Sequence, residues 1–512
     1  MTDVERRNAN PETFPPSPVQ AGLWFASTYG DDPTAYNQPL VLRLPKLLDH
    51  DHLLAALHAV HRDHSALRTT FDMDSDGEIR QVVHDELPPI VDVHDHPGGD
   101  DGEAWVRAQV AQVAATVFDL QRGPLARMRH LRVGGTSVLV FNIHHTVFDG
   151  MSWKPYLGQL EAAYSALARG GQRPRRTRRQ AVEAYARWAK RWASASESGT
   201  RDYWREKLAD PPAATPIGLP GERPPRNVTR QIALDAETSR RVQAFCAAQG
   251  VTTSMFFTAV FLMLLHRQTR QDDLLVGMPV TVRESADGNV IGHLTNTVVL
   301  RHRLAPDATA LDVLRTVKRE MLDMLRHRHA PLEAVVSDLR ATGGYRGGTA
   351  DLFNAMITVM PASARRLDLR EWGVDTWEYT SGGAKYDLAL VVDEAPDRYT
   401  LIVEHTSAAA TGDVFVSYLA ERLERLVHGT VAAPDTAVRR MTWMGEEERR
   451  AVTTVSERRA EAPALGTELT ADLFTATAQA TPSSAAVVAD GVVTSYADLH
   501  AQVEAVAANL AT

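Results

Sequence analysis

The stretch Val138-Leu139-Val140-Phe141-Asn142-Ile143 constrains the fold of this chain more than any other. It is almost wholly apolar, rich in β-branched and aromatic residues, and lacks polar alternation, so it reads as a strand covered on both faces. Residues at the end of such a strand are held rigidly at the edge of a core and face the cavity the strand opens upon. Here they are His144-His145-Thr146-Val147-Phe148-Asp149-Gly150, two imidazoles, a carboxylate and a glycine within one turn of backbone. Imidazole titrates near neutral pH, so this is the material of proton-transfer chemistry. Ser152 can cap a following helix whose apolar residues Trp153, Leu157, Leu160, Tyr164 and Leu167 recur in steps of four and three, and Gly170 is placed to stop it.

Two plainer readings compete with catalysis. A single buried histidine is usually a packed, hydrogen-bonded core residue, but here two are adjacent and an acid and a DG turn come after them. His145 and Asp149, four apart, could both bind a metal. No second His, Cys or carboxylate cluster at metal spacing stands out and there is no HExxH, so no metal site is assigned.

At 512 residues the chain is long enough for two to four units. Its net charge of −9 argues against a general nucleic-acid binder. The local exception, Arg169 to Arg179 with six arginines, reads chiefly as a solvated connector, with an acidic partner surface as the alternative. One cysteine, Cys246, excludes an intramolecular disulfide and fits a reducing compartment. Met1 to Asn10 lacks a signal-peptide core. The longest apolar run, Val251 to Leu265, is too short to span a bilayer and reads as a buried helix. A cytoplasmic protein is expected, with no membrane and no nucleic-acid partner.

The pattern divides the chain into a tail, 1–16, two α+β halves, 17–185 and 186–440, a linker, 441–467, and a last piece, 468–512. In the first half a helix at Asp51 to Ala66 feeds the strand Leu67 to Phe71, and Pro211 to Pro225 is a long surface connection. The second half repeats the texture, with a strand at Val228 to Leu234, helices at Ala236 to Ala248 and Thr253 to Arg267, and a strand from Leu274 to Val280. The last piece holds a helix, the strand Ala485 to Val488 and a helix from Tyr496, and is too small to bury much surface alone.

These residues together resemble the condensation domains of non-ribosomal peptide synthetases, over residues 17 to 440. His144 to Gly150 is similar to that family's HHxxxDG signature, and Ser17-Pro18-Val19-Gln20-Ala21-Gly22-Leu23-Trp24 to its opening motif. Leu67-Arg68-Thr69-Thr70-Phe71 resembles the second motif, Tyr185-Ala186-Arg187-Trp188 the fourth, and Ile291-Gly292-His293-Leu294-Thr295-Asn296-Thr297 the fifth. His329 to Glu333 is a looser sixth and Asp351 to Asn354 a faint seventh. Pro482 to Leu510, with Thr494-Ser495-Tyr496-Ala497-Asp498-Leu499, resembles the start of an adenylation domain; the phosphate loop such a domain needs is absent, so the piece is not expected to activate amino acids.

The resemblance implies a chloramphenicol-acetyltransferase-like fold: two lobes in a V-shaped pseudo-dimer, with a tunnel at their interface. It implies amide-bond formation between a donor acyl thioester and an aminoacyl amine, each carried on phosphopantetheine by a carrier protein, with a downstream adenylation domain and no cofactor bound by this chain. His145 would accept or hydrogen-bond the amine proton, as a base or as a positioning group, while His144 orients the turn. Asp149 either sets the His145 tautomer, as a triad acid does, or is a structural anion paired with Arg283, which the resemblance favours. Gly150 offers its amide to an oxyanion. Ser152 and Arg68 would give structural support, and Asn296 and Trp24 would line the tunnel, Trp24 more as core than as contact. Because the chain begins 16 residues before Ser17, a donor from a separate protein or a coenzyme A pool is expected. A starter domain taking a fatty or aryl acyl group, and a non-catalytic recruiting domain of the same fold, stay open.

Overall fold

The computed structural model describes residues 12–510 apart from 31, 100, 172–179, 195–198, 218–225, 362–366, 375–377, 380–385, 396, 408–411, 461–469 and 490–491. The arginine-rich connector after Gly171, the end of the Pro211 to Pro225 connection and the residues 462–466 lie outside the described residues. In chain order the strands are β1 (Glu12–Phe14), β2 (Asn37–Leu44), β3 (Thr69–Met73), β4 (Ile79–Val83), β5 (Ile90–Asp95), β6 (Ala126–Val133), β7 (Thr136–His144) and β8 (Arg226–Ala233), then β9 (Asp273–Thr281), β10 (Thr295–Arg303), β11 (Ala355–Met360), β12 (Glu378–Tyr379), β13 (Leu388–Glu394), β14 (Tyr399–Ser407), β15 (Ala485–Ala489) and β16 (Val492–Ser495).

The expected doubly covered strand is β7, third in a sheet of order β12-β2-β7-β6-β5. Its side chains alternate between two cores. Leu139, Phe141 and Ile143 join the cluster built by the helices His50–Asp63 and Trp153–Ala168. Val138 and Val140 meet Val106 and Val113 of the helix Gly102–Ala114 on the other face. Both faces exclude water, and that is why the run shows no polar alternation. Asn142 interrupts it for a reason: its Nδ2 donates to Val113 O at 2.7 Å, satisfying a carbonyl at the end of that helix.

A second sheet, β10-β9-β11-β13-β14-β8, carries the other large core. The helix Thr253–Thr269 supplies eleven consecutive buried residues, Met255 to Leu265, to this core, as expected of its apolar run. Cys246 is buried beside it, and burial pushes its thiol up to about 12, so the thiol stays protonated at neutral pH. Among the described residues no single helix is long and apolar enough to cross a membrane. In β9 a Cβ at Gly277 would stand 2.1 Å from the Phe353 ring. Gly277→Ala is therefore expected to cost about 1–3 kcal/mol by overpacking; an unchanged urea midpoint would show that the ring yields freely.

Three boundaries differ from the sequence reading. The tail 1–16 is not all tail, because β1 pairs antiparallel with β4. The boundary between 185 and 186 falls inside the helix Gln180–Ala193, whose Ala181, Ala184, Tyr185 and Trp188 pack with Ala66 from the first half and Val282, Val290 and Leu294 from the second. The span 186–440 also returns to the first core: Leu367, Leu369 and Trp372 are buried there, and β12 pairs with β2. Each difference is a long-range contact whose two partners lie far apart in sequence.

The chain divides into two compact units between Met444 and Gly445. The linker read at 441–467 is not one extended segment: Met441 is buried in the core of the first unit, and Glu446–Ala460 is helical. The second unit contains the helix Thr470–Ala480, the hairpin β15-β16 and the helix Tyr496–Leu510, matching the elements read from sequence. Val487, Val488, Val492 and Val493 of its hairpin are exposed.

Candidate active site

β7 delivers the histidine pair to the junction of the two sheets. His144 ends the strand opposite Asn37, and the His145 N–H donates to Tyr36 O at 2.9 Å. The His144 ring is buried; its Nδ1 meets Thr146 Oγ1 at 2.9 Å and its Nε2 meets Ser27 Oγ at 3.3 Å. These contacts tie the His144 ring to the turn and to the first helix. Gln20, from the opening motif, forms a capping box with Ser17 and donates from Nε2 to Thr146 O at 2.8 Å. That contact ties the first helix to the histidine turn, a role the sequence reading did not give Gln20.

The His145 ring is half-buried, and its Nδ1 lies 2.6 Å from Phe148 O. A carbonyl only accepts, so Nδ1 carries the proton and Nε2 the lone pair, an assignment made from the bonding partner. The imidazole is consequently set up to take a proton at Nε2.

Asp149 does not set that tautomer. Its carboxylate faces Arg283, with Arg283 Nη1 to Oδ2 and Nη2 to Oδ1 both at 2.9 Å, side chains 1% and 6% exposed. Ser152 N–H at 3.0 Å, Ser152 Oγ–H at 2.9 Å, Leu294 N–H at 2.9 Å and Thr295 Oγ1–H at 3.2 Å complete its donors. The pair clasps the turn after β7 to the segment between β9 and β10, a geometry that suits a structural anion. Arg283 Nη2 also donates to Val290 O at 3.0 Å. Ser152 belongs to this clasp rather than to the helix: its hydroxyl makes no cap bond to the helix Trp153–Ala168, but accepts the Gly292 N–H at 3.1 Å. Gly170, with φ +73°, ends that helix as expected.

Other expected site residues lie elsewhere. Arg68 is buried and donates to the backbone carbonyls of His84 and Asp85, which is structural support. Asn296 is fully buried and spends its amide on Arg328 O at 2.7 Å and Ala330 O at 2.6 Å, so it holds the turn before the helix Leu332–Ala341 rather than lining a passage. Trp24 is 3% exposed inside the first core and is no wall of a passage either. Gly150 is exposed, and a Cβ there would meet no atom of the described residues within 4 Å, so their packing does not demand glycine.

Two residues of the site carried no role in the sequence reading. His293 stands with Nδ1 3.2 Å from His145 Nδ1, the rings meeting edge to face at 4.5 Å. Tyr185 accepts the His293 N–H at 2.9 Å, and burial pushes its phenol well above the ordinary range, so it stays neutral. A Cβ at Gly292 would fall 2.7 Å from that phenol oxygen, so the Ile291-Gly292-His293 run needs glycine for the helix Gln180–Ala193 to approach. The signal for His293 was present in the sequence, a histidine inside an otherwise apolar run; its partner, 148 positions away, was not. Among the described residues no three His, Cys, Asp or Glu side chains converge as a metal set.

Comparison with known proteins gives this geometry a context. The profile of the family described as Condensation domain matches residues 10–453. A linear gramicidin synthase protein of Brevibacillus parabrevis is 30% identical over 469 residues, which cover 88% of this chain and 9% of that protein. The chain therefore spans less than a tenth of that relative's length. Among solved structures, the first condensation domain of the calcium-dependent antibiotic synthetase, in complex with a substrate analogue, superposes with a TM-score of 0.71 at 24% identity, over 84% of this chain and 100% of that one. The starter condensation domain of rhizomide synthetase gives 0.70 at 21% identity, over 85% and 98%. Both likenesses speak to the fold, a mixed α/β condensation-domain fold.

Proposed function

The chain belongs to the condensation-domain family of non-ribosomal peptide synthetases, amide-bond-forming acyltransferases, and we propose that it joins an aminoacyl amine on an acceptor carrier protein to an acyl thioester on a donor carrier protein. The amine nitrogen attacks the thioester carbonyl, His145 Nε2 takes the proton the nitrogen sheds, the C–S bond breaks, and the proton passes to the departing phosphopantetheine sulfur. The products are an amide and a free thiol. The observation that carries this reading is the 2.6 Å contact from His145 Nδ1 to Phe148 O, which fixes the ring with its basic nitrogen at Nε2. The amine needs little activation, because an α-amino group with a reference pKa near 8 is already unprotonated in about a tenth of molecules at pH 7. Holding it in attack geometry supplies much of the remainder.

In this reading the two sheets belong to lobes of a chloramphenicol-acetyltransferase-like pseudo-dimer, and the two phosphopantetheine arms reach His145 through a tunnel between them. The Gly150 amide faces the developing oxyanion. The second unit is the beginning of an adenylation domain; its exposed hairpin valines and its resemblance to that domain's first motif support this.

The test is incubation with donor and acceptor carrier proteins loaded with acyl and aminoacyl groups, read by mass spectrometry of the acceptor. A condensed product is expected, with an initial rate at least about a hundredfold lower for His145→Ala. Product only from acyl-coenzyme A would replace the carrier-borne donor with a starter role. No product from any donor, or an undiminished rate with His145→Ala, would overturn the reading in favour of a recruiting domain.

A further inference from the structure

His293 is an expensive residue to bury. It is 2% exposed, and among the described residues its Nε2 is a buried nitrogen without a hydrogen-bond partner. Its neighbours Ile291 and Leu294 are buried apolar residues, and an apolar side chain would fill the same place without an orphaned polar atom, which costs about 1–3 kcal/mol. The compensation lies on its other nitrogen. His145 Nδ1 holds its proton toward Phe148 O at 2.6 Å, and His293 Nδ1 stands 3.2 Å from that same nitrogen. Two N–H groups cannot point at each other across 3.2 Å, so His293 Nδ1 presents its lone pair and the His293 proton sits on the orphaned Nε2.

We propose that His293 is a positioning residue for the condensation reaction: its Nδ1 shares the His145 Nδ1–H with Phe148 O, holding the imidazole in place and stabilising it when Nε2 takes up the amine proton. The inference rests on the proposed role of His145 as proton acceptor. As Nε2 is protonated, positive charge spreads to Nδ1–H, and a second acceptor there strengthens in step with the reaction. His293 must stay neutral for this, and burial holds it neutral by lowering its pKa. The groups around the pair do not reverse that direction. Asp149, from the turn after β7, and the nearby carbonyls of Phe148 and Thr295 favour a charged ring, and Arg283, from the segment after β9, opposes it more weakly than Asp149 favours it. Burial outweighs them, so the net direction is down. Tyr185, from the helix Gln180–Ala193, is neutral, and His144 is engaged with Thr146.

Selective carbon-13 labelling of histidine, with the His145 resonance assigned by His145→Gln, measures its titration by NMR without requiring turnover. Losing one hydrogen bond to the charged ring in His293→Leu is expected to move the His145 midpoint down by about 0.5–1 pH unit. His293→Asn, which places an amide oxygen in reach, restores part of that. In the condensation assay, the acid limb of the rate profile moves down with the midpoint and the plateau falls several-fold for His293→Leu, less for His293→Asn. A His145 midpoint that stays put or rises in His293→Leu, or that is identical in the Leu and Asn variants, would overturn the inference. That result is separate from failure of the condensation reading, which shows as absent turnover or an active His145→Ala. If His293→Leu does not fold, the midpoint in His293→Asn against that in His293→Gln decides, since the longer amide cannot hold the same position.

Discussion

Arg283→Met will lower the stability of the first unit by about 3–5 kcal/mol, because it leaves the Asp149 carboxylate buried without its cation. Asp149 is 1% exposed at the side chain. Four neutral donors remain, from Ser152, Leu294 and Thr295, enough to satisfy the oxygens but not to offset the charge. The loss also frees the segment that carries His293, since the same guanidinium donates to Val290 O and Gly292 O. Asp149→Asn should cost a similar amount by stranding Arg283. The double variant Asp149→Asn with Arg283→Met should cost clearly less than the sum, because neither charge is then left alone. Urea titration followed by tryptophan fluorescence measures all three. A single-variant loss under about 1 kcal/mol, or strict additivity, would mean that this pair is no clasp.

How much of this was legible in the sequence depends on whether the contact was local. β7 announced itself because both its faces are covered, and the histidine turn followed from where that strand stops. The Asp149–Arg283 pair came from family resemblance alone; nothing in the spacing of 134 residues points to it. The direction of a side chain was not legible at all. Asn296 and Trp24 stand in the motifs that carry the resemblance, yet one secures a turn and the other fills a core. Ser152 sits where a helix cap belongs but turns its hydroxyl to Asp149 and Gly292, because a buried carboxylate and a buried amide need it more than a helix end does. The return of Leu367, Leu369 and Trp372 to the first core left no signal either, since a buried Trp372 reads the same whichever core receives it.

Acidification from pH 7.5 to 5 will destabilise the protein by about 4 kcal/mol through two histidines far from the reaction, His61 and His130. Both are enclosed by protein, 1% and 0% exposed. His61 bonds through Nε2 to Tyr156 Oη at 3.1 Å, and burial, then His58 and His64 beside it, pull its pKa down to about 3. His130 meets Ser137 Oγ at 2.8 Å and stacks on His50, and burial followed by that neighbour lowers it to about 4. The unfolded chain takes up these protons near pH 6.5, the folded one only far below. Their contribution is therefore intact well above 6.5 and is lost as pH falls through it, approaching about 1.4 kcal/mol per pH unit for each below 6.5 and reaching about 2 kcal/mol each at pH 5. Burial lowers His58, His293, His327 and His329 too, in the same direction. Glu161 and Glu333, raised by burial, act oppositely, binding protons in the folded state first. Carboxylates held low beside arginines, such as Asp92 and Asp273, lose their contribution only below the ordinary carboxylate range, so the window from 6.5 to 5 belongs to the histidines. Urea midpoints at pH 7.5, 6 and 5 should fall steadily, and His130→Gln should remove about 1.4 kcal/mol per pH unit from that slope while leaving the His61 share in place. A midpoint at pH 5 equal to that at 7.5, or a slope unchanged by His130→Gln, would show that these rings take up protons in the folded state as readily as in the unfolded one.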